Sequence, residues 1–582
     1  MGSPTGRRLS LVLTMIVVSL AACSDSRAPA EKGVIASRTL DTIPAGQVLE
    51  LSFTHQGVFD NKFRDVTLEA VFTAPGGGRQ RIQGFFYGGE VWKIRIRPHE
   101  VGGWSYTYLM TDKGGLRSEG DGAFAVTPSA TDGPIRRHPD HPYRWVFASG
   151  KPFFPVGFQN CVIENSGPRP PMVAVDGEKG GGARWLSQAE YFSLYGQAGF
   201  NLLRFSQRNC SYALHDDYFD EYHEDESLAT DEVLSVARRH GFRVMFGFFG
   251  GHGRWVHNNR YVRMVKHAVH KVLGRPLEAV SSPHDREIVA KEQRFIEYCV
   301  ARWGVYVDFW ELLNERKASD EWTTLMADHV RAVDPDRKPI STSWEKPLLP
   351  AIDINAPHWY ESESELESDL RVKQMADGWK QAGKPVIVGE QGNRGMNWDP
   401  RSGLRMRVRL WTALFQEISL VFWNTNWAKD GMFQGRPTPS RSANIYLGPE
   451  ERGYVRVLQD FSARLDANLR MAAVEVSLPG RVRGYGLRST SVAAAYLHHV
   501  EDHVNEVRGL TLTLDGPDRA RSASRWLAEW IEPATGNVVE RVTMRPGRHT
   551  LDVPPFTVDL ALLIVAGRGD GRNDQRLITP GR

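Results

Sequence analysis

Two glutamates, each at the end of a short apolar run, are the residues of this chain best placed to do chemistry. Glu315 closes "YVDFWELLNE" (306–315), and Glu390 lies near the end of "PVIVGEQG" (385–392). Two carboxyl groups can act as a unit when one stays protonated and donates its proton while the other is ionised and attacks or stabilises a positive centre. The pair is functional only if the fold brings both groups to one place.

Both runs belong to a series of eight strand-like apolar segments, which alternate with helical segments such as "KEQRFIEYCVARWG" (291–304). The eight segments are 152–158, 200–206, 243–249, 306–315, 339–344, 354–360, 385–392 and 419–425. This alternation predicts the α/β class with a parallel sheet, and eight units over roughly 300 residues predict a (β/α)8 TIM barrel. A doubly wound open sheet is the alternative, although "PVGFQNC" lacks the glycine-rich phosphate loop typical of that topology.

In a barrel, active-site residues lie at the carboxyl ends of strands, which are strand four for Glu315 and strand seven for Glu390. The Asn-Glu pair at 314–315 and the second glutamate on strand seven resemble clan A of the retaining glycoside hydrolases. The resemblance covers residues 140–430 and implies that Glu315 is the acid/base and Glu390 the nucleophile. It further implies double-displacement cleavage of O-glycosidic bonds in a polysaccharide or its oligosaccharides, without a cofactor.

The same resemblance implies supporting roles for residues at other strand ends. Arg204 on strand two matches the arginine that keeps the nucleophile ionised, the alternative being a buried arginine paired with a structural acid. Asn314 would hydrogen-bond the sugar 2-hydroxyl, and His358 and Tyr360 on strand six match the positions that orient the nucleophile. Trp423, at the end of strand eight, matches the aromatic floor under the scissile sugar, the alternative being a core tryptophan.

Composition agrees with a carbohydrate cleft and argues against two other classes of partner. The 17 Trp and 17 Tyr will be mostly core, but flat rings also line sugar sites, and His252 and Trp255 in "GGHGRW" are weaker subsite candidates. The formal charge of +3 is too balanced for a nucleic-acid binder. The sequence contains no CxxC or HExxH spacing, so we expect no metal.

The first residues predict export and a lipid anchor. Arg7 and Arg8 precede an apolar stretch of about a dozen residues, too short for a comfortable membrane span and typical of a secretory signal. "LAAC" (20–23) resembles the lipobox of bacterial lipoproteins, which implies that Cys23 is lipidated and held in a membrane. Ser24 follows it, which by the enterobacterial sorting rule favours the outer membrane of the cell envelope. The paired arginines leave the twin-arginine export route open.

Turn-rich alternating segments on both sides of the barrel predict two β-sandwiches. The N-terminal one resembles the sandwich that precedes catalytic barrels in several bacterial polysaccharide-degrading proteins. It is either an accessory domain packed on the barrel or a separate sugar-binding module. The predicted domains are a signal peptide 1–22, a tether 23–37, an N-terminal β-sandwich 38–130, the barrel 131–465, a C-terminal β-sandwich 466–570 and a disordered tail 571–582.

Three cysteines remain after Cys23. Cys161 and Cys210 follow strands one and two, which are neighbours in a barrel, so a disulfide between them is possible. Cys299 lies on an apolar helical face, which predicts a buried thiol.

Two other functions stay open on sequence alone. A decayed barrel would be a non-catalytic glycan-binding surface lipoprotein. A polysaccharide lyase would usually pair a tyrosine or histidine with a positively charged cleft, and its products carry an unsaturated chromophore that hydrolysis does not produce.

Overall fold

The structure is a computed structural model of the 582-residue chain. It describes residues 34–38, 41–159, 172–174, 184–206, 221–250, 267–343, 345–394, 399–423, 447–517, 525–566 and 577–578. The predicted lipidation site Cys23, the subsite candidates His252 and Trp255, and the possible Cys161–Cys210 bridge lie outside these ranges. Among the described residues, no helix is both long and apolar enough to cross a membrane.

Two sheets between residues 34 and 127 enclose an apolar core of their own. Their strands are β1 Val34–Arg38, β2 Thr42–Pro44, β3 Leu49–His55, β4 Val66–Thr73, β5 Arg79–Gln83, β6 Phe85–Gly88, β7 Val91–Ile96, β8 Gly102–Asp112 and β9 Arg117–Thr127, with a short helix α1 Lys62–Asp65. The orders are β1-β3-β7-β6 and β2-β9-β8-β4-β5. Strand β3 buries alternate residues, and Phe53 from one sheet and Phe72 from the other meet in the shared core.

The middle of the chain forms one nine-stranded sheet in which every pairing is parallel. Its strands are β13 Val156–Gln159, β16 Leu202–Ser206, β17 Arg243–Phe249, β18 Phe309–Leu313, β19 Ile340–Thr342, β20 Ile354–Asn355, β21 His358–Tyr360, β22 Ile387–Gly392 and β23 Ser419–Phe422. Smaller strands accompany them: β10 Ile135–Arg137, β11 Trp145–Phe147, β12 Pro152–Phe153, β14 Met172–Ala174 and β15 Arg184–Leu186. The large sheet has the order β20-β19-β18-β17-β16-β13-β23-β22-β21, and each of the eight apolar segments overlaps at least one of its strands.

The sixth apolar segment is split between the two edges of this sheet. Residues 356–357 separate β20 from β21, and Pro357 has no N–H to donate to a neighbouring strand. Asn355 nevertheless forms a parallel bridge with Val386, and the Gly389 N–H donates to the Pro357 carbonyl at 2.8 Å. Both pieces of the segment therefore lie against the seventh one.

Alternate residues of the parallel strands face different apolar clusters. One set forms a small group that we call the inner cluster, together with residues of β10–β12: Leu202, Met245, Phe309, Ile354, Ile387 and Val421. The residues next to them in sequence, such as Leu203 and Trp310, join the large cluster shared with the helices. Arg204 and Glu311 follow Leu202 and Phe309 by two residues, so they lie on the inner face of the sheet.

Seven longer helices separate or follow these strands in the described parts of the chain. They are α2 Gln188–Gln197, α3 Glu224–Arg239, α4 Arg286–Trp303, α5 Asp320–Val333, α6 Ser368–Trp379, α7 Ser402–Phe415 and α8 Pro449–Ser462, with a π-helix at His267–Val272 and 3-10 turns at Leu277–Ala279 and Lys380–Ala382. Side-chain caps begin several of them: Ser187 and Glu190 form a capping box on α2, and Asp285 accepts two backbone N–H groups of α4. Cys299 on α4 is fully buried and burial raises the pKa of its thiol, as predicted for a core residue.

Two further sheets form the C-terminal part. Their strands are β24 Arg470–Ala472, β25 Val474–Val476, β26 Val482–Arg488, β27 Val492–His499, β28 Thr511–Asp515, β29 Trp526–Ile531, β30 Val538–Met544, β31 Arg548–Asp552, β32 Asp559–Ala566 and β33 Leu577–Ile578. The orders are β24-β26-β27-β32-β29-β30-β33 and β25-β28-β31. The two-residue strand β33 pairs in parallel with β30.

The N-terminal sheets are packed firmly on the central part. Phe85 of β6 belongs to the large cluster of the central sheet and helices. Arg95 of β7 is buried, and its Nη1 donates to Asp231 Oδ1 of α3 and to the Arg302 carbonyl of α4, both at 2.8 Å. These contacts join β7 to α3 and α4 through a buried ion pair.

Candidate active site

A buried arginine organises the inner face of the sheet. Arg204 is completely buried on β16, and its Nε and Nη2 donate to the two carboxylate oxygens of Glu311 on β18, at 2.7 and 2.6 Å. Its Nη1 donates to Glu390 Oε1 at 2.7 Å. Burial would lower the pKa of Arg204, but the two carboxylates more than offset this and raise it, so the guanidinium remains charged.

An irregularity in β22 turns Glu390 toward this arginine. The register of β22 against β23 pairs Val388 with Leu420 and then Gln391 with Phe422, so Gly389 and Glu390 both lie opposite Val421. Val421 belongs to the inner cluster. A β-bulge of this kind re-aims a side chain, and it allows Glu390 to reach the inner face, where only 4% of the residue is exposed.

Two residues of β21 contact the other side of the Glu390 carboxylate. The Tyr360 hydroxyl donates to Glu390 Oε2, and burial together with that carboxylate raises the pKa of Tyr360 well above its usual value, so the phenol remains a donor. His358 is the direct neighbour of Glu390 in the β21–β22 register, with its Nδ1 3.5 Å from Glu390 Oε2. Each oxygen of Glu390 therefore accepts a hydrogen bond from a fixed side chain.

Glu315 and Glu390 both approach the same nitrogen of His358. It follows β18 with a backbone φ of +48°, a left-handed conformation that is strained for a non-glycine residue. The side chain is 40% exposed, and its Oε1 lies 3.1 Å from the same His358 Nδ1. One carboxylate oxygen from each glutamate and one nitrogen of His358 lie within 4.8 Å of one another. Such a trio can bind a cation, but here Arg204 and Tyr360 already occupy the Glu390 oxygens.

Asn314 and Trp423 lie beside these groups. Asn314 is 1% exposed, and its Oδ1 accepts from Arg204 Nη2 at 2.7 Å. Trp423 follows β23. Its backbone N–H donates to the Gln391 carbonyl at 2.8 Å, and its side chain packs in the large apolar cluster. A Cβ on Gly392 would come within 2.6 Å of the Trp423 carbonyl, so only glycine permits this close approach.

Sequence analysis missed one central residue, Glu311, and two further polar side chains contact the same arginine. Ser343 donates to Glu311 and also accepts from Arg204 Nη2 at 3.1 Å, and Gln159 accepts from Arg204 Nη1. The signal for Glu311 was present in the sequence: a glutamate in the middle of the apolar run "DFWELL" must be buried and therefore paired. All six predicted residues on strands two, four, six and seven come together: Arg204, Asn314, Glu315, His358, Tyr360 and Glu390.

Part of the chain matches a known sequence family. Residues 43–111, which lie within the two N-terminal sheets, match the family described as "Domain of unknown function (DUF5060)". No curated protein matches the chain by sequence.

Solved structures resemble the chain over most of its length. A candidate glycoside hydrolase from Bacteroides vulgatus has a TM-score of 0.61 at 18% identity, covering 90% of this chain and 100% of its own. Two others superpose less closely. A cycloisomaltooligosaccharide glucanotransferase from Paenibacillus sp. has a TM-score of 0.44 at 8% identity, covering 91% of this chain and 99% of its own. A family 39 glycoside hydrolase from Bacteroides cellulosilyticus has a TM-score of 0.42 at 15% identity, covering 90% of this chain and 98% of its own. The first of these likenesses shows that the chain shares the fold of a candidate glycoside hydrolase.

Proposed function

We propose that this protein is a retaining glycoside hydrolase of clan A type, with Glu390 as the nucleophile and Glu315 as the acid/base. Its substrate is a polysaccharide or an oligosaccharide derived from one. The observation that carries the proposal is the closeness of the two carboxylates, which present oxygens within 4.8 Å of each other and both lie near His358 Nδ1. Retaining enzymes hold their two carboxyl groups about 5–5.5 Å apart, whereas inverting enzymes leave a gap of about 6.5–9.5 Å for water.

Glu390 suits attack on the anomeric carbon. Arg204 holds its Oε1 at 2.7 Å and Tyr360 holds its Oε2, so the carboxylate cannot rotate away from the substrate. In the first step an oxygen of Glu390 forms a bond to the anomeric carbon as the bond to the leaving oxygen breaks. The product is a glycosyl ester on Glu390.

Glu315 suits proton transfer because its side chain is the more exposed of the two and can meet both leaving group and water. In the first step it gives its proton to the departing glycosidic oxygen. In the second step, as a carboxylate, it takes a proton from water, whose oxygen attacks the anomeric carbon and releases Glu390. His358 contacts both glutamates, so it lies next to the carboxyl groups whose charges change between the two steps.

The remaining residues orient the sugar. The Asn314 oxygen is held by Arg204, which leaves the amide Nδ2 to donate to the substrate 2-hydroxyl, a contact that strengthens in the transition state. Trp423 would provide the floor beneath the sugar, and His252 and Trp255 would line neighbouring subsites.

The proposal includes the predicted architecture. The strands follow one another around the sheet in chain order, and the Asn355–Val386 bridge joins its two edge regions, which supports a closed (β/α)8 barrel. The paired sheets at each end, each pair with its own apolar core, support two flanking β-sandwiches. We also propose that Cys23 is lipidated and anchors the protein in the bacterial cell envelope, in the outer membrane.

The test is a comparison of wild type with Glu390→Gln on a panel of polysaccharides and aryl glycosides. Wild type should release reducing ends without an unsaturated chromophore, and NMR of the first product should show the anomeric configuration of the substrate. The Glu390→Gln variant should lose this activity while its circular dichroism spectrum shows that it remains folded. An inverted product, an unsaturated product, or full activity of the variant would each contradict the proposal.

A further inference from the structure

A second group of polar side chains lies far from the active site in sequence, at the turn after β27. His499 ends this strand, and residues 500–505 form the turn that follows it. One ring nitrogen of His499 and one carboxylate oxygen each of Glu501 and Asp502 lie within 4.8 Å of one another. None of these residues has a part in the proposed glycosidase chemistry.

The tautomer of a neutral His499 ring follows from its contacts. The side chain is completely buried, and its Nδ1 lies 2.8 Å from the Thr557 carbonyl oxygen. A carbonyl only accepts, so Nδ1 must carry the proton and Nε2 of the neutral ring presents a lone pair. A histidine that donates one ring N–H to a backbone carbonyl while its other nitrogen stays unprotonated is in the state that metal ligands adopt.

The lone pair on Nε2 has no hydrogen-bond partner among the described residues, although it is shielded from solvent. The nearest charged atom is Glu501 Oε2, at 4.0 Å, and an ionised carboxylate offers no proton. A buried acceptor without a donor is costly, and a cation between the ring and the carboxylates would remove that cost.

The carboxylates are free to adjust while the histidine is fixed. Glu501 is exposed, and its Oε2 accepts from Arg481 Nε at 2.5 Å, a surface ion pair that a cation would have to displace or share. Asp502 Oδ1 accepts from the N–H groups of Val504 and Asn505 at 2.8 and 2.7 Å, and its Oδ2 accepts from Asn505 Nδ2 at 3.2 Å; these bonds lie within the turn, so the carboxylate moves together with the turn. With Arg481 included, the group carries a net charge of about −1 at neutral pH, when the carboxylates are ionised.

We propose that His499 Nε2, Glu501 and Asp502 form a binding site for a divalent transition-metal ion, with water completing its coordination. One imidazole and two carboxylates are ligands that Zn²⁺ accepts at about 2.0–2.2 Å, and imidazole favours such ions over Mg²⁺ or Ca²⁺. Small movements of Glu501 and Asp502 toward the fixed ring would bring the three atoms to these distances. The ion would fasten the 500–505 turn to the end of β27.

The experiment is equilibrium dialysis of the full-length protein against Zn²⁺ after removal of metals, with bound zinc counted by mass spectrometry. The main variant is the double substitution Glu501→Gln/Asp502→Asn, in which asparagine keeps an acceptor for the two backbone N–H groups. Glu506→Gln removes one charge from the same exposed segment, outside the cluster. Glu315→Gln identifies any zinc held by the Glu315–His358–Glu390 group instead.

One zinc ion should bind to wild type, to Glu506→Gln and to Glu315→Gln. The double variant should bind this ion at least about tenfold more weakly, and His499→Gln should match the double variant. The proposal is overturned if wild type binds no zinc, if the double variant binds like wild type, or if only Glu315→Gln loses an ion. Equal weakening in Glu506→Gln would also overturn it, because the effect would then be one of general charge.

Discussion

The pairing of Arg204 with Glu311 makes a quantitative prediction about stability. Glu311→Gln removes one of the two carboxylates around a guanidinium from which water is excluded. Glutamine can accept one of the two hydrogen bonds at 2.6–2.7 Å, but its NH₂ group then faces an arginine nitrogen that can only donate. The variant therefore loses one charge-assisted bond and weakens the other.

The size of the loss follows from burial. Hydrogen bonds to charged groups contribute about 1.5–3 kcal/mol each, and removing one member of a buried ion pair costs about 3–5 kcal/mol. Because Glu390 remains as a second counter-ion at 2.7 Å, we expect the lower end of that range, a loss of about 3 kcal/mol in the free energy of unfolding.

Urea unfolding measures this, followed by the fluorescence of the buried tryptophans of the central sheet and its helices. The control is Asp377→Asn, which breaks a pair with Lys373 of similar length, 2.6 Å, on the surface of α6. Exposed pairs contribute about 0–1 kcal/mol, so the control should unfold almost as wild type does. If Glu311→Gln and Asp377→Asn have the same unfolding midpoint, the argument from the buried charge is wrong.

Three further predictions concern separate parts of the molecule. Tyr360→Phe removes a donor to Glu390 and should lower kcat/KM roughly 10- to 100-fold in a variant that remains folded; a kinetically normal variant would refute the orienting role. Burial alone would raise the pKa of Glu417, but a hydrogen bond from His141 and nearby cations lower it to about 2. The stability that ionised Glu417 contributes to the folded protein is therefore complete above the unfolded pKa of about 4.5 and is lost as pH falls through 2. Glu417→Gln should therefore flatten the acid-unfolding curve between those values, and an unchanged curve would contradict the assignment. Cys23→Ser should release the protein or leave its signal uncleaved, whereas a cleaved, membrane-bound variant would exclude the lipid anchor.

The positions of the strands and of most site residues were accessible from the sequence because apolar runs mark buried strands. The beginning of α4 was less accessible from the sequence. Its first turn, stabilised by the Asp285 cap, precedes the apolar stripe that predicted a helix at 291–304. Strand β27 is buried on both faces, because a helix distant in sequence covers one of them. Its Tyr496 packs against Trp411 of α7, while Leu497 faces the core of the C-terminal sheets.

Strand periodicity also fails for Glu390, the proposed nucleophile. A regular β22 would place Glu390 on the face opposite Ile387, away from Arg204, and only the bulge reverses this. The only feature of "PVIVGEQG" that indicates a bulge is the glycine at position 389. The left-handed backbone of Glu315 is likewise a consequence of the surrounding structure rather than of its own conformational preference.

Azide rescue tests the assignment of the two glutamates most directly. Glu315→Ala should still form the glycosyl ester from an aryl glycoside with a good leaving group, then stall because no base activates water. Azide needs no base, so it should restore turnover and give a glycosyl azide that retains the substrate's anomeric configuration. In Glu390→Ala, azide should replace the nucleophile and give the inverted azide. The opposite pattern would exchange the two roles, and full activity of both variants without azide would contradict the two-glutamate account.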